Sequence, residues 1–212
     1  MNHKRRLMKE MYSVEFATKY DDMIKVRHWS GPDIVFGLMY EFINPEETLL
    51  DLGIGTGAGS LLFHRAGLRI SGTDGAEEML RVCESKGFAS DLRLHDLQIS
   101  PFPYQDSSFH HIVSLGVFDH FRDLETIFGE VRRIIMKGGM FGFTVQDREE
   151  EMETEYLRIS GDMKITLCRH SETYMKKLFE DNSLTLKKSV EFAWRGERVK
   201  AYIVENSMGT VK

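Results

Sequence analysis

Thr48-Leu-Leu-Asp-Leu-Gly-Ile-Gly-Thr-Gly-Ala-Gly-Ser60 is the stretch on which the fold of this 212-residue chain turns. Its apolar run, Leu49, Leu50 and Leu52, has the near-continuous pattern of a strand buried in a parallel sheet. Four alternating glycines follow, Gly53, Gly55, Gly57 and Gly59, and then a helical-looking segment from Ser60 to Ala66. Glycine permits the tight turn that must follow such a strand and lets a ligand approach bare backbone. A helix placed next presents unpaired N–H groups and its positive end at the same point. Strand, glycine turn and helix together make a nucleotide-type cradle.

Two acidic residues narrow the ligand. Asp51 lies inside the apolar strand, where a carboxylate is costly unless it is paired or hydrogen-bonded. Asp74 closes the next apolar run, Leu68-Arg-Ile-Ser-Gly-Thr-Asp74, about twenty residues on, where a carboxylate is placed to accept from a ribose diol. A carboxylate beside the loop would repel a pyrophosphate but suits an amine or a sulfonium. The order Asp51-Leu-Gly-Ile-Gly-Thr-Gly57 therefore favours a cationic adenosyl ligand over NAD.

These residues resemble the first motif of the class I S-adenosylmethionine-dependent methyltransferases, in particular the small-molecule branch called type 11. Gly72-Thr-Asp-Gly-Ala-Glu-Glu-Met-Leu80 looks like that family's second motif and Leu94-His-Asp-Leu97 its third. Phe109-His-His-Ile-Val-Ser-Leu-Gly116 is similar to the fourth, and Glu130-Val-Arg-Arg-Ile-Ile-Met-Lys-Gly-Gly139 to the helix and turn before the fifth strand. The resemblance runs from about Thr48 to Val145 with the motifs in order. It departs at Ala76, where the family often has a capping Ser or Thr, and at Lys137, where it often has proline.

The resemblance implies S-adenosylmethionine as cofactor and S-adenosylhomocysteine as product. His64, His95, His110, His111 and His170 have no metal-ligand partners at sensible spacing, so no metal is expected. Gly53, Gly55 and Gly57 would pass against the amino-acid and ribose parts, Asp51 would hold the ammonium and Asp74 the ribose hydroxyls. Asp96 would accept from the adenine amino group, with Leu97, Gly75, Ala76 and Met79 around the ring. Leu115 and Gly116, ending the fourth strand, would offer a carbonyl to the ammonium.

Around this centre the pattern alternates strand and helix, which predicts a parallel sheet with right-handed crossovers. Strands are expected near 48–52, 69–73, 91–95, 110–115 and 139–145, with helices near 57–66, 76–86 and 124–136. Before them, apolar residues at helical spacing from Met8 to Phe42 are interrupted at Gly31-Pro32, giving a short helix and a second near 33–42. After them come an acidic run at 147–155, a mix of polar and β-prone residues, a capped amphipathic helix near 171–180, and strands near 184–194 and 199–205. The short link Arg195-Gly-Glu-Arg198 makes those last two strands an antiparallel hairpin. The expected fold is α/β: a Rossmann-like three-layer sandwich around a seven-stranded, mostly parallel sheet with an antiparallel C-terminal hairpin. A dinucleotide dehydrogenase domain would not end that way. The whole chain, 1–212, reads as one domain, with a helical cap segment at 1–44 and a lid-like insertion at 147–169.

A formal net charge of -5 argues against a general nucleic-acid binder. No run approaches about 20 uninterrupted apolar residues, so no membrane helix is expected. The basic start, Met1 to Glu10, has no apolar segment behind it and reads as a solvated tail rather than a secretory signal. Cys83 and Cys168 lack metal-ligand spacing and suggest free thiols in a reducing compartment, the cytoplasm being the simplest. Oligomeric state is left open.

Methyl transfer from a sulfonium needs orientation and a dry pocket, and a base only if the acceptor arrives protonated. His120, just beyond the fourth strand, is the candidate base, with Asp119 beside it. Tyr20, His28 and Trp29 lie in the segment expected to fold over the methyl group, since an aromatic face attracts a sulfonium. Phe141, Phe143, Met163, Tyr174 and Trp194 are candidates for an apolar acceptor pocket. The acceptor is expected to be a small molecule. Cofactor binding without catalysis, a protein acceptor and a nucleotide-dependent oxidoreductase are the alternatives.

Overall fold

A computed structural model describes residues 13–148, 152–158 and 164–207. Met163 and the basic tail lie outside the described residues. Two helices come first: α1, Val14–Val26, capped by the Ser13 hydroxyl on Phe16 N–H, and α2, Gly31–Met39, with Pro32 in its first turn. The parallel core follows as β1 Thr48–Leu52, α3 Leu61–Arg65, β2 Arg69–Asp74, α4 Glu77–Ser85, β3 Ala89–Leu94, β4 Phe109–Ser114, α5 Glu125–Ile134 and β5 Ile135–Arg148. Strands β6 Met152–Arg158 and β7 Lys164–Ser171, helix α6 Glu172–Asp181 and strands β8 Leu184–Trp194 and β9 Glu197–Asn206 complete the order.

The sheet runs β3-β2-β1-β4-β5, with β9 antiparallel to β5 and β8 to β9. Alternation along the strands sorts the side chains into two cores. Leu50, Leu52, Ile112, Phe141 and Phe143 pack under α5 and α6 with Phe128, Leu178 and Phe179. Leu49, Ile70, Val113 and Ile203 pack on the other face with Val35, Met39, Phe63 and Leu80 of α2, α3 and α4. The layers and the C-terminal hairpin are those expected. The β8–β9 turn is two residues, Arg195 (φ 53) and Gly196 (φ 81), both in the left-handed region that a tight hairpin requires.

Two differences from the expectation have physical causes. Among the described residues the sheet has nine strands, not seven, because β6 and β7 form an antiparallel hairpin. Strand β5 overruns its partners, and its unpaired end receives β7 in parallel at Asp147↔His170 and Arg148↔Ser171. Helix α3 begins at Leu61 rather than near 57, because Gly57 sits at φ 84 and residues 53–60 are spent in turns. Five residues present no extended positive helix end, so the donors at the loop are turn amides. Among the described residues no helix is long and apolar enough to cross a membrane.

Candidate functional site

The carboxyl ends of β1, β2, β3 and β4 open into a cleft of about 1250 Å³, part of it open solvent. This is the crevice where open α/β sheets place their ligands. The glycine turn forms its floor. Thr73 O accepts from both Gly53 N–H (2.8 Å) and Ile54 N–H (3.0 Å), which bends the chain back over β2. Gly53 is required twice over: its φ is 79°, and a Cβ there would stand 2.5 Å from Val117. A Cβ on Gly55 (φ 54°) would stand 3.3 Å from Met79 Cε and 4.0 Å from Asp74 Oδ2, filling the space between them.

Asp74 is fixed from two sides. Its Oδ2 accepts from Gly55 N–H and its Oδ1 from Ala76 N–H, each at 2.8 Å. Burial holds its carboxyl above the ordinary range, and these amides and the charge of His120 pull it down. Asp51 is 2% exposed, accepts from the Ser60 hydroxyl, and lies on the same face of β1 as Leu49. Burial pushes its carboxyl up to about 7, against the Ser60 hydrogen bond and with the charge of Asp74 adding to the rise. A buried acid without a cation is poised for one.

Beyond β3, Leu94 is 46% exposed yet lines the cleft with His95, Asp96 and Leu97. Asp96 Oδ1 accepts from Gln98 N–H at 3.0 Å, closing the turn after β3. Beyond β4, Gly116 (φ 69°) donates to Thr144 Oγ1 at 2.9 Å, and Leu115, Gly116 and Val117 line the wall.

The roof is α1. Asp21 accepts from Thr56 Oγ1 at 2.5 Å and from Lys86 Nζ, fastening the helix to the glycine turn and to the end of α4. Ala17 packs on Ala76 and Met79 beneath it. Tyr20 and Ile24 thus line the cleft, and Trp29 closes it beside Gly116, braced by Trp194 (4.9 Å) and Phe192 (5.9 Å). Tyr20 is pushed up to about 12, by burial and then by the charges of Asp119, Asp74 and Asp21, with Arg27 acting the other way. It stays a phenol at neutral pH.

The 3-10 turn Phe118–His120 supplies the last wall. Phe118 is buried against Phe128, Phe141 and Phe143, and its carbonyl meets His170 Nε2 of β7 at 3.1 Å. That anchorage leaves His120 facing the cleft. Asp119 does not line it; its Oδ1 is buried with no hydrogen-bond partner among the described residues, and burial raises the carboxyl against the pull of His120 and His170.

The cleft therefore gathers Asp51, Gly53, Gly55, Asp74, Gly75, Met79, Asp96, Leu97, Leu115, Gly116, His120, Tyr20 and Trp29. It does not gather the rest of the residues singled out in the sequence. Gly57 does not line the cleft: a Cβ there would stand 2.5 Å from Phe88 and 2.8 Å from Cys83. Ala76 is buried under α1 and contributes only its N–H to Asp74. His28 is exposed at a left-handed corner (φ 51) outside the cleft. Phe141 and Phe143 belong to the aromatic core, Tyr174 accepts from Leu124 N–H, and Trp194 stands behind Trp29. Ile24, Pro32, Ile54, Thr56, Ala58, Gly59, Leu94, His95, Val117 and Phe121 also line the cleft. Of these, Ile54, Thr56, Ala58 and Gly59 carried a signal as members of the glycine turn, and Leu94 and His95 as members of Leu94-His-Asp-Leu97.

The residues present fit an adenosyl ligand with an amino-acid tail. The cradle that a Cβ on Gly55 would fill adjoins a carboxylate set for a diol, and Asp51 beside it suits an ammonium. Among the described residues no group of three or more His, Cys, Asp or Glu could hold a metal ion.

Residues 50–143 match the methyltransferase domain family. A malonyl-acyl-carrier-protein O-methyltransferase of Serratia marcescens is 32% identical, over 58% of this chain and 48% of its own length. A sterol 24-C-methyltransferase of Gibberella zeae is 24% identical, over 58% of this chain and 34% of its own. The chain thus spans about half or less of the curated relatives it matches. The complex between the Haloferax volcanii Trm112 methyltransferase activator and a methyltransferase has a TM-score of 0.74 at 19% identity, covering 93% of this chain and 97% of that one. At that identity the likeness is one of fold.

Proposed function

We propose that this chain is a class I S-adenosylmethionine-dependent methyltransferase and that it transfers the cofactor's methyl group to a small-molecule acceptor. The observation that carries the reading is the pair Asp51 and Asp74, on adjacent parallel strand ends, flanking one glycine turn and lining one cleft. The two curated relatives are named for unlike acceptors, so neither acceptor is carried over.

In this reading Asp51 and the carbonyls near Leu115 and Gly116 hold the ammonium, and Asp74 accepts from the ribose hydroxyls. Asp96 accepts from the adenine amino group, with Leu94, Leu97 and Met79 against the ring. The cofactor supplies an activated methyl on a sulfonium. The chain's own contribution is orientation and exclusion of water. Helix α1, fastened through Asp21, roofs the cleft, and Tyr20, Trp29, Val117 and Phe121 present apolar and aromatic surface to the acceptor end. His120 takes the acceptor's proton as the new bond forms. Tyr20, Ile24, Trp29 and Pro32 of the N-terminal segment line this end, and His170 of β7 holds the Phe118–His120 turn beside it. A roofed cleft supports a metabolite over a protein acceptor. Both cysteines are buried and outside any disulfide, the support for a reducing, cytoplasmic setting.

The test is transfer of labelled methyl from S-adenosylmethionine to members of a metabolite library. Transfer to none by a protein that binds the cofactor would move the reading to cofactor binding without catalysis.

A further inference from the structure

The acceptor end of the cleft has a composition that restricts the charge of what it takes. Its walls are Tyr20, Ile24, Trp29, Val117, His120 and Phe121, and none of the described residues lining the whole cleft is Lys or Arg. Its acidic groups are several: Asp51, Asp74 and Asp96 line it, and Asp119 lies behind His120 with a buried, unpartnered oxygen. With Asp51 and Asp74 engaged by the cofactor, Asp119 remains at the acceptor end. Its charge is felt there, for it is the leading electrostatic cause of the rise at Tyr20. The exposed Arg27 opposes that effect but does not line the cleft.

We propose that the acceptor is a neutral or cationic molecule with a flat apolar body and an N–H or O–H group, and that acceptors bearing a carboxylate or phosphate are discriminated against. This rests on the methyltransferase reading of the site. A carboxylate entering here would be desolvated beside acidic groups with no described cation to meet it, the most costly way to bury a charge. An N–H or O–H donor has its match in the His120 imidazole, which lines the cleft. Trp29 and Phe121 in the wall suit a flat body, and a cationic one gains from aromatic ring faces.

The test uses the full chain saturated with S-adenosylhomocysteine, whose binding is measured first by calorimetry. A naphthol, a naphthylmethylamine and a naphthoate, matched in ring size, are then titrated and followed by saturation-transfer NMR. The naphthol and the amine are expected to bind at least about tenfold more tightly than the naphthoate, roughly 1.4 kcal/mol. Ile24→Lys, which adds a cation to the wall, is expected to narrow that gap through the naphthoate. Equal or tighter naphthoate binding, binding by none of the three, or a gap unmoved by Ile24→Lys overturns the proposal. Failure of S-adenosylhomocysteine to bind would instead remove the methyltransferase reading beneath it.

Discussion

The two ends of the cleft are built by different means. The cofactor end is local: β1, the turn 53–60 and β2 lie within one stretch of chain, and the Gly53, Ile54 and Gly55 amides are fixed by Thr73 and Asp74. The acceptor end is assembled from far apart. It takes α1 from the start of the chain, the Phe118–His120 turn from the middle, and their braces, Trp194 and His170, from the last third. A site made of adjacent strand ends inherits the precision of the ladder, whereas a site made of packed segments can change its contents without disturbing the sheet. That division suits an enzyme whose cofactor is fixed and whose acceptor varies.

The strongest way to break this comparison is His120→Ala. It should lower turnover about 10²–10⁴-fold, roughly 3–5 kcal/mol of barrier, and leave cofactor affinity unchanged. Calorimetry on the variant checks the second half; lost cofactor binding would mean the two ends are not separable. Gly53→Val tests the cofactor end. With φ at 79° and Val117 in the way, it should cost about 2–4 kcal/mol in urea unfolding, and folded protein should not bind cofactor. Wild-type stability would show that the turn has slack.

Asp74→Ala should weaken S-adenosylmethionine by about 1.5–3 kcal/mol, the scale of hydrogen bonds to a charged group. Unchanged affinity in a folded variant would take Asp74 out of the site. The smallest effect sharpens the electrostatic contrast. Asp51 is raised to about 7 when folded, so between about pH 4 and 7 the folded protein holds a proton that the unfolded chain has released. Its contribution to stability is therefore greatest at low pH and declines as pH rises through that window. Asp51→Asn removes the decline: the variant's unfolding free energy relative to wild type should climb between pH 5 and pH 8, by on the order of 1–2 kcal/mol at the upper end after loss of part of the Ser60 interaction. A pH-independent difference would show that Asp51 is not the titrating group.

The same contrast explains what the sequence made legible. Strand β1, the glycine turn and Asp74 signal their roles through short spacings, and Leu49, Leu50 and Leu52 declare burial on both faces. Within that stretch, direction is what spacing does not reveal. Gly57 looks like Gly55 in sequence, but the turn aims it at Cys83, and Ala76 keeps its place in the motif while its side chain serves α1 packing. At the acceptor end, spacing says little. Phe141 and Phe143 are aromatic because they build the core, and only three-dimensional packing separates them from Trp29. The pairing of β7 with the end of β5 is a contact between segments whose register no local pattern sets. Asp21, which fastens the roof, gave no signal because its partners lie 35 and 65 residues away.

The most direct test of the account is calorimetric titration of the purified protein with S-adenosylmethionine, S-adenosylhomocysteine and NAD. Micromolar binding of the two adenosyl compounds, with none of NAD, is the result expected from Asp51 and Asp74 flanking the glycine turn. Binding of neither adenosyl compound, or binding of NAD instead, would contradict it.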